Sequence, residues 1–162
     1  MNVVADTGPL HYLVLIGQAD VLALLYTRVL VPTTVVGEMR QAATPAVVRN
    51  WISRPPDWLK VRPDPPSDAT LGFLDEGESA AIGLALSLGI ERILIDDWDG
   101  RFEAVRRNLR VTGTLGVLVL AHQRGHLDFE TALAHLSRTN FYLSAELVQL
   151  VRSRLSSRIK EP

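Results

Sequence analysis

The stretch Val3-Val4-Ala5-Asp6-Thr7-Gly8-Pro9 constrains this chain more than any other. Its leading apolar residues are too few for a helix and fit a buried parallel strand. The aspartate, the hydroxyl and Gly-Pro then stop the strand and open a helix with Pro9 in its first turn. A carboxylate at the carboxyl end of a central strand stands at the crevice where open α/β sheets bind ligands. Asp6 equally fits a turn aspartate that accepts hydrogen bonds from backbone amides.

The same alternation continues along the chain. Leu10 to Ile16 is an apolar helix ended by Gly17, and a second helix capped by Asp20 runs to Tyr26. Val29-Leu30-Val31 is a second strand, stopped by Pro32. The next helix has Val35, Val36 and Met39 facing the core and Glu38 one turn in. A helix from Pro45 to about Ser53 turns Trp51 and Ile52 inward. Residues 54–68 hold five of the nine prolines and are expected as a surface excursion, with Trp58 to Val61 as an edge strand.

Asp75-Glu76-Gly77-Glu78 precedes an apolar helix from Ser79 to Leu88, which Gly89 ends. Arg92 to Ile95 is the third main strand and runs into Asp96, Asp97 and Asp99. A helix from Arg101 to Asn108, a strand from Leu109 to Val111 and a helix from Leu115 to Gln123 follow, the last capped by Thr112-Gly113-Thr114. Asp128 caps a helix through Leu136, and Ser144 caps the last one, which frays into a tail over 152–162. Strands alternating with helices predict an α/β chain: a three-layer α/β/α sandwich around a short, mainly parallel sheet, in one domain spanning 1–162.

Composition narrows the chemistry. A chain of 162 residues, 47% hydrophobic with a net charge of -1, is expected to be globular and soluble. No apolar run spans a bilayer and no signal peptide opens the sequence, so a cytoplasmic location is expected. With no cysteine, disulfides and thiolate-bound zinc or iron–sulfur sites are excluded. Residues 1–100 carry 7 basic and 13 acidic side chains, a net of −6; the remainder carries 10 and 5, a net of +5. Such asymmetry permits an acidic metal centre beside a basic nucleic-acid rim, and equally permits basic residues that only solvate helix surfaces.

Other catalytic classes lack their residues. There is no phosphate-binding G-x-x-x-x-G-K-[ST] loop, and Gly113-Thr114-Leu115-Gly116 is too short for a dinucleotide fingerprint. His122 and His126 lack the glutamate of a zinc-protease helix and are expected at the surface. A phospho-aspartate phosphatase would need a second aspartate where Gly8 stands. His11, little more than a turn after Asp6, can approach a substrate.

Two strands thus end in acid, at Asp6 and at Asp96-Asp97, and parallel strands bring those ends to one sheet edge. Glu38 and Glu78, at the starts of helices, can project over the same edge. Carboxylates gathered there repel one another unless a divalent cation sits among them, and oxygen-only ligands favour Mg²⁺ or Mn²⁺. Each acid also has a plainer role. Glu38 fits a solvated helix residue, Glu78 fits a capping box with Asp75, and Asp96, Asp97 and Asp99 fit a turn into the next helix.

The ordered motifs ADTGPL, V-x-x-E-M, LDEGESAAIGLAL, ILIDDWDGR and VTGTLGVLVLAHQRG resemble the PIN domain, most closely its bacterial branch related to VapC-type toxins. The resemblance runs from Val3 to about Val151. It implies a metal-dependent endoribonuclease that hydrolyses RNA phosphodiester bonds with one or two Mg²⁺ or Mn²⁺ ions. It also implies the toxin of a toxin–antitoxin pair, held by a small antitoxin protein and capable of forming a homodimer. By the same resemblance Asp6, Glu38, Glu78 and Asp97 are the catalytic acids. Asp6 and Asp97 are metal ligands, with Asp99 a weaker second acid and Asp96 where many members carry threonine, serine or asparagine. Thr7 and Thr114 match hydroxyls that hold water or phosphate oxygens. From the basic half, Arg101, Arg106, Arg107 and Arg124 are expected to contact RNA phosphates. A PIN-fold protein-interaction module with weak or no nuclease activity is the alternative.

Overall fold

The computed structural model describes residues 1–158 and arranges five strands in one sheet. Strand β1 (Asn2–Ala5) lies at its centre between β2 (Arg28–Pro32) and β4 (Arg92–Leu94), with β3 (Leu59–Arg62) and β5 (Arg110–Thr112) at the edges. All pairings are parallel, with Val3 beside Val29, Val4 beside Ile93, and Ile93 beside Val111.

Side-chain alternation divides the apolar residues between two cores. Val3, Ala5, Val29, Val31 and Leu94 face one; Val4, Leu30, Ile93 and Ile95 face the other. Helices α1 (Thr7–Leu15), α2 (Val21–Leu25), α3 (Thr33–Met39) and α4 (Ala46–Ser53) pack into the first core, joined by α7 (Thr114–Gln123) and α8 (Phe129–Ser137). Helices α5 (Glu76–Leu88) and α6 (Trp98–Arg106) cover the second. The result is the expected α/β/α sandwich, with helices on both faces because a parallel sheet must bury both.

Several local expectations change. The proline-rich excursion contributes β3, which pairs with β2 from Val29–Leu59 to Pro32–Arg62, so Pro32 ends the strand from within it. As an edge strand β3 needs no ladder on its outer side, which suits its proline neighbours. Helix α5 starts at Glu76 rather than Ser79, because Asp75 accepts the Glu78 amide at 2.8 Å while the Glu78 carboxylate accepts the Asp75 amide at 3.3 Å. Asp20 makes no capping bond to α2. Asp128 does cap α8, through the Thr131 amide at 2.9 Å. Ser144 caps α9 (Ala145–Arg158), through the Leu147 amide at 3.0 Å. Of the expected frayed end, 152–158 continue α9, and 159–162 lie outside the described residues. His122 is half-buried and accepts the Phe129 amide at 3.0 Å, anchoring the α7–α8 turn instead of lying free at the surface. Among the described residues no helix is long and apolar enough to cross a membrane.

Candidate active site

The strand order places a topological switch point between β1 and β4, where connections leave the sheet in opposite directions and open a crevice at its carboxyl edge. Asp6 follows β1 there, its amide bonded to the Leu94 carbonyl at 2.9 Å, and Asp96 lies two residues beyond β4. Helices α1, α5, α6 and α7 all begin at residues adjoining the acids: Thr7, Glu76, Trp98 and Thr114. Their amino ends bring partial positive charge, which offsets part of the repulsion among carboxylates.

Asp6 is only 7% exposed, and its Oδ1 is buried with no hydrogen-bond partner. It precedes α1 in the capping position and makes no side-chain cap bond, and the turn-aspartate role leaves its Oδ1 unaccounted for. Burial pushes its carboxyl up to about 7, reinforced by Asp75, Glu38 and Asp96 and opposed by the Thr7 amide. Glu78, 5% exposed, is likewise held well above the usual carboxylate range, first by burial and then by Asp75, Asp97 and Asp6. It serves the capping box and the acidic cluster together, so its two readings are compatible.

Glu38 reaches the same place from α3. The Thr7 hydroxyl donates to its Oε2, tying α3 to the first turn of α1. Its carboxylate lies against the backbone of Gly77, where an added Cβ would stand 2.5 Å from Oε2 and 2.6 Å from Oε1. Burial raises the Glu38 pKa, and the Thr7 hydroxyl counteracts that rise. Asp96 is more fully engaged: its Oδ1 accepts the Thr114 amide at 2.7 Å and its Oδ2 the Thr114 hydroxyl at 2.6 Å. Burial raises its pKa too, against these bonds and the nearby Arg101 guanidinium. Thr114 thus holds Asp96 rather than capping its own helix, for which Gly113 is the N-cap residue.

Asp97 is exposed and caps α6 by accepting the Asp99 amide at 3.1 Å, while Asp99 is exposed in the first turn of α6. Asp97 still lies near enough to Glu78 to raise its pKa. Asp75 belongs to the cluster as well, raising the pKa values of Asp6, Glu38 and Glu78. Its signal in the sequence was the capping box itself, since a cap side chain must stand at the helix mouth.

The arginines divide differently from expectation. Arg101 donates to the Ile95 carbonyl at 3.2 Å, at the sheet edge beside Asp96. Arg106 and Arg107 both pair with Glu103, at 3.3 and 2.9 Å, and Arg107 also bonds Thr70 at 2.7 Å. Glu103, 4% exposed, is a buried acid on α6 that carries no motif, and it draws these two cations onto the helix surface.

Among the described residues no three acidic or histidine side chains form a ready-made metal-ligand set. An Mg²⁺ ion keeps several waters and takes one or two protein carboxylates. The unpartnered Oδ1 of Asp6, inside a pocket whose acids hold raised pKa values, has the donor chemistry for such an ion. Asp6 has the donor chemistry of a ligand, with Asp75, Glu38, Asp96 and Glu78 near it and Asp97 near Glu78.

In comparisons with known proteins, a family model described as PIN domain matches residues 2–157. No curated protein and no solved structure matched the chain.

Proposed function

We propose that this chain, which belongs to the PIN domain family, is a metal-dependent endoribonuclease and the toxin of a toxin–antitoxin pair. PIN domains are generally nucleases, and hydrolysis of nucleic-acid phosphodiester bonds is the activity its acids suit. The observation that carries the reading is Asp6 Oδ1, buried without a partner among carboxylates that resist ionising together.

Asp6 and Asp97 would hold Mg²⁺ or Mn²⁺, with Glu38 and Glu78 beside them. When bound, the ion supplies charge neutralisation at the phosphate and lowers the pKa of the attacking water. The chain's own residues prepare the pocket. Thr7 fixes the rotamer of Glu38, the capping box fixes Glu78, and Thr114 fixes Asp96 at the edge of the crevice. Burial raises the Asp6 and Glu78 pKa values, and a bound cation would favour their charged forms.

The toxin assignment takes a small antitoxin protein as regulator. It is favoured by an apolar stripe on α6, where Trp98, Phe102 and Val105 are 76%, 63% and 60% exposed beside the acidic crevice. Purified protein should cleave RNA in Mg²⁺ or Mn²⁺ and stop in EDTA, and Asp6→Asn and Asp97→Asn should each lose most activity while staying folded. Wild-type turnover by either variant would exclude that residue from the site. Growth arrest on expression, relieved by a protein encoded beside it, is the expected sign of the toxin role.

A further inference from the structure

We infer that the open groove along α1, walled by residues 43–45 and 138–140, holds the phosphate backbone of the RNA strand flanking the acids. The inference rests on the nuclease reading and adds where the strand runs. The groove encloses about 500 Å³ and is lined by His11, Leu15, Thr44 and Arg138, among others.

Both long walls lead back to Glu38. Thr7, His11 and Leu15 recur every four residues and so lie along one line of α1. Thr7 bonds the Glu38 carboxylate, and the next two residues of that line face the groove. Opposite, the Thr44 hydroxyl donates to the Glu38 carbonyl at 3.1 Å while Thr44 itself lines the groove. The third wall is pinned to α1 by the Tyr12 hydroxyl, which donates to Asn140 Oδ1 at 2.9 Å. The groove therefore begins one helical turn along α1 from the Thr7–Glu38 bond.

Its charge is what a nucleic-acid strand needs at this place. A pocket of carboxylates repels a polyanion, so cations must flank it. Arg106 and Arg107 are drawn onto Glu103, and Arg152 pairs with Glu130. Arg138 is exposed in the groove wall and makes no side-chain hydrogen bond or ion pair among the described residues. Arg49 donates its Nε to the Thr44 carbonyl at 2.9 Å, which sets a second cation behind the 43–45 wall. Partial burial lowers the His11 pKa, and a neutral imidazole can both donate to a phosphate oxygen and accept from a ribose hydroxyl.

The test compares Arg138→Ala, Arg138→Lys and Arg28→Ala, the last removing a charge at the opposite, amino end of the sheet. A labelled single-stranded RNA is titrated at several KCl concentrations, and cleavage is followed in Mg²⁺. Arg138→Ala should weaken binding about three- to tenfold and flatten the logarithmic salt dependence by about 0.7. It should also raise KM with little change in kcat, and Arg138→Lys should recover most of the loss. Arg28→Ala should match wild type. If Arg138→Ala instead equals Arg28→Ala in affinity, salt slope and KM, the groove serves something other than RNA, such as a protein partner, and the inference fails while the nuclease reading stands. If wild type neither binds nor cleaves RNA, the nuclease reading fails and the strand assignment goes with it.

Discussion

Asp96 and Thr114 are joined twice: the Thr114 amide reaches Asp96 Oδ1 at 2.7 Å and its hydroxyl reaches Oδ2 at 2.6 Å. The pair ties the carboxyl end of β4 to the first turn of α7 and holds the crevice at the switch point to a fixed width. Thr114→Val keeps the side-chain volume but leaves Asp96 Oδ2, half-buried, without its donor, at an expected cost of about 1 kcal/mol in urea denaturation. Asp96→Asn should cost less, because the Thr114 hydroxyl can rotate to accept from the new amide. Equal stability of Thr114→Val and wild type would show that the strut carries no load.

Asp6 should make apo stability depend on pH. Its folded carboxyl titrates near 7 against an ordinary 3.8, so the folded state holds the proton more tightly than the unfolded chain. The associated stability is complete below the lower value and is lost as pH rises through the higher one. Across that window wild type in EDTA should lose up to about 1.4 kcal/mol per pH unit from this group. Asp6→Asn should remove this share of the slope and leave that of Glu78, Glu38 and Asp96, and saturating Mg²⁺ should lessen the slope in wild type. A profile unchanged by Asp6→Asn would place the titrating group elsewhere.

Metal binding can be read without substrate. At about 100 times its dissociation constant, Mg²⁺ should stabilise wild type by roughly 2.7 kcal/mol, provided the unfolded chain binds none. Asp97→Asn should lose much of that gain while melting normally in EDTA, since asparagine caps a helix as well as aspartate does and Asp97 caps α6. The measurement is a melting series in EDTA and rising Mg²⁺, with Ca²⁺ as the ionic control. Identical Mg²⁺ shifts in variant and wild type would remove Asp97 from the metal site.

Gly77→Ala tests how tightly Glu38 is positioned. Alanine suits a helix, so folding should change little, but its methyl would meet both Glu38 carboxylate oxygens within 2.6 Å. Glu38 must then swing away from Thr7. RNA cleavage should fall about 10- to 100-fold, the scale of a displacement near 1 Å at a catalytic group. Full activity would mean that the position of Glu38 is immaterial to the reaction.

Local spacing alone determined a good deal of this protein. Val3-Val4-Ala5-Asp6 with Gly-Pro behind it set a central strand with an acid at its end, and Asp75-x-x-Glu78 set a capping box. Alternation of strands and helices set the sandwich, and even the strand among the prolines showed in Trp58 to Val61. The tertiary structure decided which of these acids share a pocket. Asp75 and Glu78 act both as a cap and as neighbours of Asp6, which no spacing distinguishes from capping alone. Arg106 and Arg107 form part of a basic half in the sequence, but a buried Glu103 claims them, and burial depends on how α6 packs. Bonds that close within one turn leave their spacing in the chain. Those between Asp96 and Thr114, or Thr7 and Glu38, join residues 18 and 31 positions apart. Only the packing of whole elements brings such residues within reach of each other.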